Sequence, residues 1–242
     1  MLARREHWWS LSLLFVMLAG AACTSVLDQP RSDSQSRVVL IVHRGDSDVA
    51  QVQADAREVV SAAAQEGARI AVYALDTGSA ASMSQIMLSD EANGGNFVLT
   101  GGNQRYRGRE ALHYADVVMR DLGPVLQPTT TPSKTGADLI GAVAFGIAAV
   151  DRLPGNGLAT VSVVTGGGVH RTVDLDLVAM GVTPENAVQI AHQMPPLDMP
   201  TGIVVELRGV GRFQGAIPPV EPRFAHGVRA FWEALCPHCT LR

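Results

Sequence analysis

From Arg37 onward the chain alternates short apolar runs with longer stretches in which apolar residues recur every three or four positions. Residues 37–42 (RVVLIV) form a β-branched run that stops at His43-Arg44-Gly45-Asp46, the pattern of a strand buried on both faces. Residues 49–66 place Val52, Ala56, Val59, Val60 and Ala63 at helical spacing and stop at Gly67, a C-cap residue. Residues 70–75 (IAVYAL) predict a second strand. The stretch 78–96 is rich in Ser, Met and Gly and predicts irregular structure, with a short apolar piece at 97–100 as a candidate third strand. Helices are predicted over 109–122 and 137–153, and strands over 159–165 (ATVSVVT) and 203–207 (IVVEL). Residues 183–193 open with Thr-Pro-Glu, a cap followed by proline at the first helical position. A closing helix covers 224–235, with Phe231 and Trp232 as core anchors.

Repeated strand–helix–strand alternation predicts an α/β fold: three layers, with a mostly parallel central sheet covered by helices on both faces. Residues 37–242 show no internal repeat and read as one domain. In such a sheet functional residues gather beyond the carboxyl ends of the strands. Here those ends are 43–47, 76–79, 100–103, 165–168 and 209–211.

The segment before this domain has a different character. Arg4 and Arg5 precede an apolar run over 11–22 that only Ser12 interrupts. Twelve helical residues span about 18 Å, short of the ~30 Å needed to cross a bilayer core. The run ends Ala19-Gly20-Ala21-Ala22-Cys23, and the whole segment resembles a bacterial lipoprotein signal peptide, with Gly20 where that motif more often has leucine. The resemblance implies removal of residues 1–22 and acylation of Cys23. Residues 23–36, polar and serine-rich with Pro30, then form a flexible tether from lipid to domain. It therefore predicts a protein held on the extracytoplasmic face of the cell membrane, since several acyl chains anchor a chain stably.

Composition narrows the function classes. The 242 residues are 47% hydrophobic and 17% charged, which excludes a disordered chain, and the formal net charge of −4 with no basic stripe speaks against a nucleic-acid partner. Lys134-Thr135 lacks the glycines of a phosphate loop, and Gly209-Val210-Gly211 lacks a third glycine where Gln214 stands. No cofactor is expected on these grounds.

The second half of the chain carries a family resemblance. Thr135-Gly136-Ala137-Asp138-Leu139 leads a loop threonine into a helix of T-x-x-D-L-x-x-A type. There follow the strand VSVVTGGG, the strand IVVELRGVG and a closing helix with Phe-Trp-Glu. Together these resemble the von Willebrand factor A-like domains of exported proteins from high-GC Gram-positive bacteria, a Rossmann-type α/β architecture. The resemblance spans residues 37–242 and implies a binding role, not an enzyme. Such domains hold Mg²⁺ or Mn²⁺ through D-x-S-x-S after the first strand, a threonine before a helix and an aspartate after the fourth strand. Carboxylates are needed there to offset dehydration of a hard cation. In this chain Ser47 and Thr135 match, but His43 stands at the first aspartate and Gly166 at the last, with Arg44 adding a positive charge. The expectation is a dismantled metal site. The loops His43, Arg44, Asp46, Ser47, Thr100, Asn103 and Thr135 then become the candidate contacts for a protein or another envelope component.

An alternative uses the same loops. Gly45-Asp46-Ser47 and Gly101-Gly102-Asn103 resemble two sequence blocks of SGNH hydrolases, in which the serine is the nucleophile. That family also needs a late Asp-x-x-His. None precedes His170, His192, His226 or His238, and Glu110-Ala111-Leu112-His113 falls in a predicted helix. Finally, Cys236-Pro237-His238-Cys239 matches the tetrapeptide of thiol oxidoreductases, which requires a helix after the motif, whereas here a helix precedes it. A local disulfide, favoured by export, two thiols, and redox or metal chemistry are the three readings of this pair.

Overall fold

The computed structural model describes residues 35–43, 49–75, 83–86, 104–126, 138–165, 176–195, 197, 199–212 and 221–242. The chain divides into two units, Met1–Asp33 and Ser34–Arg242, and every described residue belongs to the second. The expected signal peptide and Cys23 lie outside the described residues. Among the described residues no helix is long and apolar enough to cross a membrane.

Six strands form one sheet: β1 (Arg37–His43), β2 (Arg69–Leu75), β3 (Met83–Gln85), β4 (Ala159–Thr165), β5 (Ile203–Arg208) and β6 (Cys239–Leu241). Their order is β3-β2-β1-β4-β5-β6, and all pairs are parallel except β2 with β3. Five helices accompany them: α1 (Val49–Gln65), α2 (Gln104–Leu122), α3 (Leu139–Val150), α4 (Ala187–Ala191) and α5 (Pro222–Leu235). This is the α/β sheet with helices on both faces that the alternation predicts.

The continuous apolar run of β1 serves two cores at once. Val38, Leu40 and Val42 point into one with Val72, Val164, α1 and α2. Val39 and Ile41 point into the other with Val161, Val163, Leu207, α3 and α5. All five β1 side chains are buried, each contributing roughly 1.5–3 kcal/mol relative to exposure. On the α5 side, Phe231 and Trp232 are fully buried and meet edge to face, as core anchors should.

Helix ends follow their local chemistry. Gly67, at φ +67°, closes α1: its N–H donates to Ala64 and that of Ala68 to Ala63, the paired bonds of a Schellman stop. Asp138 begins α3, its carboxylate accepting from the Gly141 N–H at 2.8 Å, so α3 starts two residues later than the sequence predicts. The Thr-Pro-Glu signal does cap a turn, since the Asn186 side chain accepts from the Thr183 N–H at 2.7 Å. Regular α-helix there is nevertheless confined to the five residues of α4. The Thr183 hydroxyl, then Arg223, hold the Glu185 carboxyl at a pKa of about 2, below its ordinary 4.5. A carboxyl lowered on folding stabilises above its unfolded pKa and loses that effect as pH falls through the folded value. Glu185→Gln should therefore lower the urea midpoint slightly at pH 7, and the difference from wild type should vanish near pH 2; the effect is small because both partners are exposed.

Two strands were not expected from the sequence, and α2 begins at Gln104, five residues before its predicted start. Met83–Gln85 pairs antiparallel with β2 inside the stretch predicted to be irregular, while the candidate strand at 97–100 lies outside the described residues. A three-residue strand with one half-buried side chain carries too little pattern to be seen in sequence. The last residues form β6, also unpredicted, which pairs with β5 after the Cys-x-x-Cys turn.

Among the described residues two buried side-chain atoms on sheet strands lack a hydrogen-bond partner, Arg37 Nε and the Ser162 hydroxyl. Ser162 of β4 is 1% exposed, and its hydroxyl has no hydrogen-bond partner. A buried unpaired hydroxyl costs about 1–3 kcal/mol, so Ser162→Ala should raise stability by about 1 kcal/mol in urea unfolding.

Candidate functional site

Strand order reverses between β1 and β4: β2 and β3 lie to one side, β5 and β6 to the other. Crossovers therefore leave in opposite directions from these two strands, which opens a crevice at their carboxyl ends. The final residues, His43 and Thr165, are register partners, and His43 Nδ1 lies 3.1 Å from Thr165 Oγ1. Thr165 is only 2% exposed, and this hydrogen-bonded pair ties the ends of β1 and β4 together.

β5 closes in on the same point. Gly209 follows it at φ +86°, and a Cβ there would run into the Thr165 carbonyl oxygen. Only glycine combines that backbone angle with so close an approach. The ends of β1, β4 and β5 are thus locked together by His43, Thr165 and Gly209.

Helix direction brings two more segments to this edge. α1 ends at the opposite, amino edge, where the Gln35 side chain donates to the Gly67 carbonyl at 2.8 Å. α3 ends there too, with Arg37 Nη1 donating to the Val150 carbonyl at 3.3 Å. The starts of both helices, Val49 and Asp138, therefore stand on the carboxyl side. Of the predicted contact residues only His43 is described; Arg44, Asp46, Ser47, Thr100, Asn103 and Thr135 lie outside the described residues.

Charged residues that sequence reading passed over tie α1 to β5. Asp55, 6% exposed, accepts from Gln51 at 3.0 Å and pairs with Arg212, four residues past β5, at 2.6 Å. Glu58 and Glu206 meet Arg208 at 3.0 and 3.1 Å. Burial works against the Arg208 charge, but these two carboxylates outweigh it and raise the guanidinium pKa further. The signal for Asp55 was available: it interrupts the apolar face of α1 three residues after Val52. Arg212 carried no such signal, because its role follows from the close of β5 on β4.

The chemistry on the described edge is hydrogen bonding by imidazole, hydroxyl and backbone. Among the described residues no three His, Cys, Asp or Glu side chains converge as metal ligands. Ser47, Thr135 and Gly166, the positions compared with a cation site, lie outside them. His113 sits exposed on α2, three residues after Glu110, and His192, His226 and His238 are exposed as well. Cys236 and Cys239 are paired at disulfide distance, with Cα atoms 5.3 Å apart. No protein-family model matches the chain, and a search of curated proteins finds no match either.

Proposed function

We propose that this chain is a lipid-anchored von Willebrand A-like domain on the outer face of the cell membrane. It binds a protein or another envelope component, without catalysis, through the loops at the carboxyl edge of its sheet. The observation that carries this reading is the strand-order reversal at β1 and β4, which puts a crevice where the candidate loops begin. The starts of α1 and α3 on that same edge support it, since Ser47 and Thr135 precede them by a few residues. Fold alone does not fix function, so the reading depends equally on the lipoprotein-like Ala-Ala-Cys23 segment and on the loop residue types.

Three measurements separate its parts. In detergent phase partition the wild-type chain enters the detergent phase and Cys23→Ser stays in the aqueous phase; equal partition removes the anchor from the account. A fluorophosphonate probe leaves Ser47 unlabelled in the folded protein; stoichiometric labelling at Ser47 would replace binding with hydrolysis. Excess Mg²⁺ or Mn²⁺ leaves the melting midpoint unchanged. A functional site filled at ~100 times its dissociation constant adds about 2.7 kcal/mol, so a clear rise would mean the cation site has been rebuilt.

A further inference from the structure

The Cys-Pro-His-Cys turn is not explained by binding at the carboxyl edge. Cys236 caps the end of α5 and is 1% exposed, whereas Cys239 is half-buried and opens β6. The bond between them therefore fixes the outermost strand to the end of a helix whose Phe231 and Trp232 are set in the core.

β6 is three residues long and, among the described residues, pairs with β5 alone, with Cys239 and Leu241 partly buried against the core. Past its end, the Arg242 N–H donates to the Leu207 carbonyl and the Gly209 N–H to the Arg242 carbonyl, both at 2.9 Å. The Arg242 guanidinium reaches Glu58 at 3.4 Å and Glu206 at 3.6 Å, but it is half exposed, and such pairs add little. Arg229 Nη2 donates to the Leu241 carbonyl at a long 3.3 Å. A short edge strand with these contacts belongs to the part of a fold that opens first.

We propose that Cys236–Cys239 is a redox latch on β6: bonded, it keeps the strand on β5; reduced, it lets β6 leave while the two cores stay folded. The reductant is an external dithiol. Its thiolate attacks Sγ of Cys239, the more exposed sulfur, and Cys236 leaves as a thiolate that takes up a proton. The second thiol of the reductant then attacks the reductant sulfur of the mixed disulfide, and Cys239 leaves and is protonated in turn. Two electrons pass to the protein, and the dithiol becomes a disulfide. Cys236 is a poor leaving group, being buried at the carbonyl end of a helix, so opening the bond requires a strongly reducing dithiol. Departure of β6 also removes Arg242 from Glu58, and with it one tie between α1 and the sheet.

The test is hydrogen exchange by mass spectrometry on the full chain, oxidised and then reduced with dithiothreitol. Alkylation mass confirms two new thiols. Peptides covering Leu207–Gly209 and Cys239–Arg242 should exchange about tenfold faster or more after reduction, while β1 and β4 keep their rates. The double variant Cys236→Ser, Cys239→Ser should show the same faster exchange without reductant. Unchanged β6 exchange in both experiments overturns the latch. Acceleration throughout the sheet overturns it too, because the bond would then be a general staple. A disulfide that dithiothreitol fails to open in the folded protein overturns it as well.

Discussion

Gly209→Ala is expected to destabilise the fold by about 3 kcal/mol, combining ~1–2 kcal/mol for a left-handed backbone with the strain of pushing two strand ends apart. The added methyl would meet the Thr165 carbonyl, so β4 or β5 must shift. Thr165 also contacts His43, and the shift should therefore be felt at the end of β1. The matched control is Gly181→Ala. Gly181 also has positive φ, +60°, but among the described residues nothing lies within 4 Å of its added Cβ, so only the backbone penalty of about 1–2 kcal/mol applies. Urea unfolding of the two variants at equal m-value gives the comparison. Equal losses would mean that β5 does not close on β4 as described.

Trp232→Ala should cost about 3–5 kcal/mol, the largest effect expected of any single truncation here. The indole is fully buried, edge to face with Phe231, in the core cluster that also holds Val205, Leu207, Val228 and Leu235. Its loss leaves a cavity between α5 and the sheet that rigid strands cannot close. For a domain of this size the melting midpoint should fall by about 10 °C. A Trp exposed for ligand contact would behave in the opposite way, losing partner binding at little cost in stability. A midpoint within about 2 °C of wild type would therefore contradict the packing of α5.

The sequence revealed most of the fold because buried parallel strands are distinctive. RVVLIV and ATVSVVT are dense β-branched runs and IAVYAL an apolar one, and each became a strand within a residue of its predicted limits. Gly67 and Phe231-Trp232 were legible for similar reasons, since a C-cap glycine and a large aromatic pair have few alternative roles. What escaped was decided by pairing. β3 and β6 are three residues each, and only their neighbours β2 and β5 make them strands. The Asp55–Arg212 pair joins residues 157 positions apart, a contact no local pattern encodes. The candidate site was legible as a place, the carboxyl ends of β1 and β4, and His43 stands there. The pairing of His43 with Thr165 and the wedge of Gly209 required knowing which strands are neighbours.

Binding at the carboxyl edge is tested most directly by site-specific photocrosslinking in the native cells. The crosslinker is placed singly at Ser47, Thr100 and Thr135, and for comparison at Glu66 and Asn156, which are exposed near the amino edge. The account predicts one common protein or envelope adduct from the first three positions and none from the other two. The same adduct forming from Glu66 or Asn156, with none from Ser47, Thr100 or Thr135, would contradict it.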